Sequence, residues 1–237
     1  MDCDYKADDD AEEYDYDYIF IRKDVTINGN NHIIDGNNRT RVFMVEDGYS
    51  LTLNNLTIIN ARADSGAGVY LKYNASLTIN NVRYGGAIST YYEPSDMVII
   101  NSVFIENNAI CSGGAIYNYQ DGSCNIVDSS FIDNAAGENG GVIYNEDEVL
   151  MDILNSSFIN NTADVDGGVI FADKTAETSI VNSTFTNNAA LTGFGGVIYS
   201  QIGLNNYTNV TFINNAAVSG GVFYKEFTSF ENIVNSK

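Results

Sequence analysis

The chain has 237 residues, one proline, no tryptophan and a formal net charge of −20. Nucleic acids and anionic membranes are bound by clustered Lys and Arg, so the excess of 31 acidic over 11 basic side chains argues against both as partners. No run reaches the roughly 18 apolar residues of a membrane-spanning helix, and the first residues lack the basic and apolar segments of a signal peptide.

Residues 1–18 are the most acidic part of the chain, with nine Asp or Glu side chains and one Lys. They show no apolar periodicity, so we expect a solvated, disordered tail. Their carboxylates do not form the Asp-x-Asp-x-Asp-Gly loop with a closing Glu that binds Ca²⁺. The sequence therefore predicts a tail without a metal or cofactor site, followed by one folded domain over residues 19–237.

The first ordered segment, residues 19–60, contains the apolar runs VTI, HIID, RVFMV, LTL and LTII. Gly-Asn and Asp-Gly turns separate these runs, which predicts short strands. A recurring unit first appears here as NLTIINARADSGAGVYL. We align its Ile58 with the phenylalanines of the later units and its Gly68 with their glycine pair.

Between residues 97 and 224 the chain repeats one unit, of which NSSFINNTADVDGGVIF from Asn155 is a clear copy. Its phenylalanine recurs every 27 residues, at Phe104, Phe131, Phe158, Phe185 and Phe212. A fixed period of this length is typical of a solenoid. The preceding copy is shorter, since Tyr84 takes the phenylalanine position only 20 residues before Phe104, and we expect a tight, bulged turn there.

Each unit contains short runs of β-branched and aromatic residues cut by Asn, Asp and Gly, which is typical of three short strands. No window carries a helical period. Such a unit cannot bury a core alone and must stack on its neighbours, with parallel strands about 4.8 Å apart. We predict an all-β parallel β-helix of seven or eight turns, with one unit per turn.

Equivalent residues of successive units form columns along such a stack. We expect each Phe, and the Ile five residues before most of them, to fill the interior. An Asn three residues after each Phe predicts a ladder in which each amide donates to the next carbonyl oxygen, the alternative being a solvated turn residue. These asparagines are Asn107, Asn134, Asn161, Asn188 and Asn215. A second column is expected at a bend with left-handed backbone conformation. It consists of Asn101, Asp128, Asn155, Asn182 and Asn209.

The strand after the glycine pair is apolar at three successive positions. The first position holds Ala115, Val142, Val169, Val197 and Val222. The second position, the isoleucine column, holds Ile116, Ile143, Ile170, Ile198 and Phe223. The third position, the aromatic column, holds Tyr117, Tyr144, Phe171, Tyr199 and Tyr224. Because strand side chains alternate, the second and third columns point to opposite faces, and one is exposed unless a loop or terminal segment covers it.

An exposed column of this length is the predicted partner-binding surface. An exposed aromatic column suits stacking on sugar rings or on a partner's side chains. An exposed isoleucine column suits another protein or a second copy of the chain. The segment Val69-Tyr70-Leu71 favours exposed isoleucines, because our alignment places Tyr70 in the isoleucine column.

Few residues point to other chemistry. Cys3, Cys111 and Cys124 match no metal spacing, and although Cys111 and Cys124 could meet in adjacent loops, we expect free thiols. His32 is the only histidine and has no Ser or Cys partner motif, so a structural role is expected. No phosphate-binding loop, Gly-x-Ser-x-Gly or His-Glu-x-x-His motif is present.

A row of acids follows the strand after the glycine pair, with Lys174 as the only cation nearby. It consists of Asp121, Glu146, Asp147, Glu148 and Asp173. Glycoside hydrolases use paired carboxylates, so these residues leave a carbohydrate-active enzyme as an alternative. We interpret them as a solvated acidic rim, with no catalytic role.

Two features concern the processing of the chain. Eight Asn-x-Ser/Thr sequons would accept glycans in a secreted protein, at Asn38, Asn55, Asn74, Asn155, Asn160, Asn182, Asn206 and Asn209. The last residues, ENIVNSK, restart a unit and stop before its phenylalanine, so we expect a repeat cut in mid-turn with an uncovered β edge.

The quoted unit, together with GNNHIIDGNNRTRVFMV and SLTLNNLTI, resembles the adhesin-like proteins of methanogenic archaea. Those proteins share GGAIY and FxxN repeats with the polymorphic outer membrane proteins of chlamydiae. The resemblance covers about residues 19–237 and implies a right-handed β-helix of the pectin-lyase-like type. It also implies secretion, display on the cell surface and adhesion to a protein or glycan of a host or neighbouring cell. A polysaccharide lyase or hydrolase and a structural spacer without a ligand are the alternatives.

Overall fold

The computed structural model describes residues 5–6, 18–38, 40–61, 67–85, 87–90, 94–175, 177–227 and 229–237. Within these residues every regular element is a strand, and paired strands run parallel. They stack at a spacing of about 27 residues into a β-solenoid of about seven turns, a right-handed β-helix. The predicted fold class is thereby confirmed, whereas the narrower assignment to the pectin-lyase-like type stays a prediction.

The first face of the solenoid carries the longest strands. They are Val25–Asn28, Ser50–Ile59, Ser76–Tyr84, Asp96–Ile100, Ser123–Val127, Leu150–Leu154, Glu177–Val181, Ile198–Thr208 and Ser229–Val234. Two of them, Ser50–Ile59 and Ser76–Tyr84, continue onto the second face, and Ile198–Thr208 begins on the third face. Alternate side chains along this face point into the core.

The second and third faces are built from shorter strands. The remaining strands of the second face are Tyr5–Lys6, Ile33–Asp35, Val103–Ile105, Ser130–Ile132, Ser157–Ile159, Thr184–Thr186 and Thr211–Ile213. Those of the third face are Ile19–Ile21, Phe43–Val45, Val69–Leu71, Ile88–Thr90, Ile116–Asn118, Ile143–Asn145, Ile170–Thr175 and Phe223–Lys225. A fourth, two-residue ladder lies between these faces, at Asn108–Ala109, Ala135–Ala136, Thr162–Ala163 and Ala189–Ala190. The regular turns therefore add a short fourth pairing to the three predicted strands.

Three corners of each regular turn use the left-handed backbone conformation. The predicted Asx column turns the chain from the first to the second face, with φ angles of 47–54°. A further column two residues after each Phe has φ angles of 53–56° and was not predicted. It consists of Glu106, Asp133, Asn160, Asn187 and Asn214. The first glycine of each pair has a φ of 64–70°, which glycine adopts without a steric penalty.

The phenylalanine column forms the centre of the core, as predicted. Phe104, Phe131, Phe158 and Phe185 are fully buried, and Phe212 is partly buried in the last complete turn. Their rings stack face to face with centroids 4.7–5.4 Å apart. The residues five positions earlier are also buried: Ile99, Ile126, Ile153, Ile180 and Tyr207.

The predicted asparagine ladder is present inside the stack. Asn161 donates one amide hydrogen to Oδ1 of Asn188 (3.0 Å) and the other to the carbonyl of Phe131 (3.1 Å). Its own Oδ1 accepts from both the backbone N–H and Nδ2 of Asn134, at 3.0 and 2.9 Å. Asn134 and Asn188 are bonded in the same way, so the amides join adjacent turns from inside the stack, which excludes the alternative of solvated turn residues.

A serine ladder, which was not predicted from the sequence, lies beside the corner formed by the Asx column. The backbone N–H of Ser129 donates to Oγ of Ser156, at 3.1 Å. The Ser156 hydroxyl in turn donates to the carbonyl of Leu154, at 2.9 Å. Ser102 and Ser183 repeat this arrangement, and all four serines are buried. The ladder satisfies backbone donors that the bend would otherwise leave unpaired.

The irregular N-terminal units keep the register of the stack. Tyr84 pairs with Phe104 despite the 20-residue step, so it takes the phenylalanine position as predicted. The predicted tight, bulged turn includes residues 86 and 91–93, which lie outside the described residues, and stays a prediction. The alignment of Gly68 is wrong by one residue, because Val69 pairs through Ile88 with Ile116. Gly68 is therefore level with Ala115, the residue after the glycine pair.

The predicted tail lies mostly outside the described residues. Within it, Tyr5–Lys6 pair with Ile34 and Asp35 on the second face. At the other end, Ser229–Val234 pairs with the first-face part of Ile198–Thr208. The boundary at residue 18 stays a prediction.

Candidate functional site

The aromatic column points away from the core on the third face. In Ile116–Asn118 and Ile143–Asn145 the first and third residues are buried and the middle tyrosine is half-buried. Phe171 and Tyr199 of the same column are buried, each with 6% exposure, although they too lie outside the central core cluster. The isoleucine column fills the interior instead, with Ile116, Ile143 and Ile170 fully buried. The expectation that the isoleucines are exposed is therefore wrong.

Two predictions about this strand were wrong: the column assigned to Tyr70 and the face assigned to the column that includes Val142. The register places Tyr70 opposite Ser89 and Ser89 opposite Tyr117, so Tyr70 belongs to the aromatic column. The first column, which includes Val142, was expected to share a face with the aromatic residues, yet it is buried in the core. Val142 lies at the corner before its strand begins, so strand alternation does not apply to it.

The rings of the aromatic column stack on one another along the solenoid axis. Centroids of successive rings from Tyr117 to Tyr224 are 4.7–5.5 Å apart, with interplanar angles of 4–17°. The ring faces between these turns are therefore occupied by neighbouring rings. Tyr117 and Tyr144 stay half-buried, whereas Phe171 and Tyr199 are buried. Stacking of a ligand's sugar rings on those inner faces is not available in this arrangement.

Carboxylates line both sides of the aromatic column. The Tyr117 hydroxyl donates to Oε2 of Glu146, at 2.6 Å, and the Tyr199 hydroxyl donates to Oε2 of Glu226. Burial, followed by these hydrogen bonds, raises the pKa of Tyr117 and Tyr199 above the ordinary value. Burial also raises the pKa of Tyr144 to about 12, with a smaller contribution from nearby carboxylates.

A row of exposed loop tips runs beside the aromatic column, and we call it the loop ridge. It consists of residues 110–112, 137–139, 164–166, 191–194 and 217–219, which connect the asparagine ladder to the glycine pairs. Apolar side chains protrude from it: Ile110 is 86% exposed, Val218 69% and Leu191 56%. Single exposed apolar residues are ordinary on protein surfaces, but these lie in one row along the solenoid, so the ridge is a candidate contact surface.

Backbone hydrogen bonds hold the tips of the loop ridge in register. The N–H groups of Glu138 and Val165 donate to the carbonyls one turn earlier, both at 2.8 Å. The N–H of Leu191 donates to the carbonyl of Ala163, at 2.9 Å. These bonds make the ridge a fixed extension of the solenoid.

The ridge loop at residues 191–194 is one residue longer than the preceding ridge loop at residues 164–166. Its last residue is Phe194. Its ring stacks on Tyr224 with centroids 4.4 Å apart, and its N–H donates to Oδ1 of Asp166, at 2.7 Å. Phe194 therefore connects the loop ridge to the aromatic column. Burial raises the pKa of Asp166, partly offset by this backbone hydrogen bond.

The structure does not combine the other candidate residues into a site. Cys111 is exposed and Cys124 is buried, and both are free thiols, as expected. Burial raises the pKa of the Cys124 thiol to about 12. Lys174 pairs with Asp147 at 3.0 Å. Among the described residues, no group of three or more His, Cys, Asp or Glu side chains is arranged to hold a metal ion.

His32 lies in the turn before Ile33–Asp35, away from the acids that follow the third-face strands. All eight sequon asparagines are exposed. Asn155, Asn182 and Asn209 donate to one another's side chains, or to Asp128, along the first corner at 3.1–3.3 Å. The glycan sites thus stay a prediction.

Comparison with known families gives one result for these turns. Residues 101–119, 128–146, 155–173 and 182–201 match the model of the Chlamydia polymorphic membrane protein repeat. These turns are similar to polymorphic membrane protein repeats. Each match begins at an Asx corner, contains the loop ridge and ends just after the third-face strand or within it.

The matched stretches leave out the first face and cover less than half of the chain. A search of curated proteins found no match. The part of the chain that the structure describes contains no helix with the length and hydrophobicity needed to span a bilayer.

Proposed function

We propose that this chain is a non-enzymatic, adhesin-like module displayed at the cell surface, where it binds a partner on a host or neighbouring cell. The observation that carries the proposal is the combination of a constant core with an exposed loop ridge that differs between turns. The column that contains Ile110 continues with Gly137, Asp164, Leu191 and Val218. The asparagine ladder and the alanine column just before these positions do not change; the alanines are Ala109, Ala136, Ala163, Ala190 and Ala217. Recognition on a solenoid uses such variable, exposed positions on a rigid scaffold.

The family comparison supports the same function. The matching repeats are named for membrane proteins of Chlamydia, which is consistent with a surface location for this chain. The matched residues include the loop ridge and the aromatic column and exclude the first face. The side of the molecule that carries the ridge is therefore the proposed contact side.

The test is adhesion of beads coated with the purified chain to a panel of microbial and animal cells. Saturable adhesion that soluble chain competes away is the expected result. Beads coated with an unrelated protein of similar negative charge serve as the control. Adhesion no greater than that control would favour a structural spacer without a ligand.

The enzyme alternative is tested separately on pectin, alginate and related glycans, with and without Ca²⁺. We expect no release of unsaturated or reducing ends. Release that depends on Glu146 or Asp173, lost in Glu146→Gln or Asp173→Asn, would instead favour a β-helical lyase or hydrolase.

A further inference from the structure

The loop ridge combines apolar tips with negative charge. Ile110, Val165, Leu191, Phe194 and Val218 are its exposed apolar side chains. Glu138, Asp164 and Asp166 lie among them, and the ridge contains no Lys or Arg. A partner that covers this surface has to match both the apolar tips and the carboxylates.

In the N-terminal turns, two arginines of the chain lie over aromatic rings of the third face. The Arg41 guanidinium lies 4.4 Å from the centre of the Tyr70 ring, and the Arg22 guanidinium 4.5 Å from that of Phe20. Both rings belong to the N-terminal continuation of the aromatic column. In the later turns the ring faces are covered by neighbouring rings, so the ridge carboxylates are the groups there that can bind a guanidinium.

We propose that the loop ridge binds a protein segment in which aliphatic side chains alternate with arginine. This inference rests on the proposed adhesive function and names the partner's chemistry. The aliphatic side chains pack between the apolar tips while the guanidinium groups meet Glu138 and Asp164. A second copy of the chain fits less well, because two ridges would bring carboxylates against carboxylates.

The fixed geometry of the ridge favours such a contact. Its tips are already ordered by hydrogen bonds between turns, so binding costs little further ordering of this chain. The ridge follows the solenoid axis over five successive turns, which offers a linear site to an extended segment.

The experiment measures binding of a fluorescent peptide of alternating Leu and Arg to the full chain by fluorescence anisotropy. Leu–Gln and Ser–Arg peptides of equal length are the comparison probes. We expect the Leu–Arg peptide to bind more tightly than either, with affinity that falls as salt is raised. Equal binding of the Leu–Arg and Ser–Arg peptides would overturn the proposal, because attraction to a chain of net charge −20 would then explain it.

Matched variants locate the site. Leu191→Ser with Val218→Ser is expected to raise the Kd about tenfold or more, since truncation of contact residues at an interface centre has this scale. The control is Leu150→Ser with Leu204→Ser, two first-face leucines of similar exposure (54% and 48%), for which we expect a change below about twofold. Equal losses in the two pairs would contradict a site on the ridge.

Charge variants give an independent arm. Glu138→Gln with Asp164→Asn is expected to lower the affinity for the Leu–Arg peptide several-fold at low salt. Asp152→Asn with Glu177→Gln removes the same charge from the first face and should have the smaller effect. A ridge-dependent dimer in sedimentation, or ridge-dependent binding of neutral oligosaccharides without the peptide, would overturn the proposed partner. If coated beads adhere to cells but the chain does not prefer the Leu–Arg peptide over the two comparison peptides, the adhesive function is supported and only the proposed partner class is refuted.

Discussion

The buried amide of Asn161 shows how one residue type holds adjacent turns together. It makes four side-chain hydrogen bonds, to Asn134, Asn188 and Phe131, inside a core that excludes water. A buried amide with any of these partners missing would cost free energy, so the column tolerates only a side chain with both a donor and an acceptor.

The first prediction removes this amide. Asn161→Ala leaves the backbone N–H and an amide hydrogen of Asn134 without their acceptor and should lower the free energy of unfolding by about 3 kcal/mol. Asn206→Ala, at an exposed asparagine on the first face, should change it by less than about 0.5 kcal/mol. Urea denaturation measures both, and similar losses would contradict the role of the ladder.

The second prediction concerns pH. The pKa of Tyr144 is raised to about 12, while an unfolded tyrosine ionises near its ordinary value of 10.0. The folded state then holds its proton more tightly, so this contribution to stability is complete below pH 10 and is lost as pH rises toward 12. Melting temperatures at pH 9 and pH 11 should fall more in the wild type than in Tyr144→Phe. An equal fall in both would mean that Tyr144 titrates normally.

At the scale of elements, each turn is stabilised mainly by the columns that it shares with its neighbours. The Phe158 ring lies between those of Phe131 and Phe185, with centroids 4.9 and 4.7 Å away. The glycine pairs let the turns approach this closely, since a Cβ on Gly168 would lie 2.3 Å from the carbonyl oxygen of Gly196. Side-chain stacking and backbone approach therefore depend on each other.

The third prediction tests the phenylalanine column. Phe158→Ala should cost about 3–5 kcal/mol of unfolding free energy through lost burial and a cavity. Leu154→Ala lies in the same turn but at an outward position, and should cost less than about 1 kcal/mol. An unchanged melting temperature for Phe158→Ala would mean that the column is not interior.

The fourth prediction tests the close approach of turns. Gly168→Ala should destabilise the chain strongly, because the added methyl group meets backbone atoms of Ala189 and Gly196 in the next turn. Gly48→Ala is a useful comparison: its φ of 75° is strained for alanine, but nothing lies within 4 Å of the added Cβ. We expect a cost near 1 kcal/mol for Gly48→Ala and a larger one for Gly168→Ala. The reverse order in thermal unfolding would contradict the packing described.

The sequence predicted the columns because a strict 27-residue period leaves one way to stack the units. It predicted the buried Phe158 and Asn161 for that reason. The Ser that follows four of the five residues of the Asx column would have revealed the serine ladder as well. It could not decide between Ile143 and Tyr144, since both faces of that strand are apolar and the residue before it lies at a corner. The one-residue error at Gly68 placed Tyr70 in the isoleucine column and so wrongly favoured exposed isoleucines.

The candidate surface was the less predictable part. The aromatic column was named from the sequence, but the stacking of its ring faces depends on three-dimensional geometry. In the sequence, the segments of the loop ridge resemble ordinary polar loops between strands, because Ile110, Leu191 and Val218 are isolated apolar residues within them. Only the stack brings them into one line.

At the scale of the whole molecule, the solenoid is a rigid rod with different surfaces on its sides. The first face presents a flat strand surface, and the third face presents the aromatic column with carboxylates on both sides. The loop ridge projects between the two-residue ladder and the third face. Separation of core columns from exposed tips allows the recognition surface to change without loss of the fold.

Bead adhesion with matched surface variants tests whether the loop ridge is the recognition surface. Beads that carry Leu191→Ser with Val218→Ser should lose most of their adhesion to the cells that bind wild-type beads, with an unchanged melting temperature. Beads that carry Leu150→Ser with Leu204→Ser should adhere as the wild type does. Normal adhesion of the ridge variant, or loss of adhesion only in the first-face variant, would contradict the account.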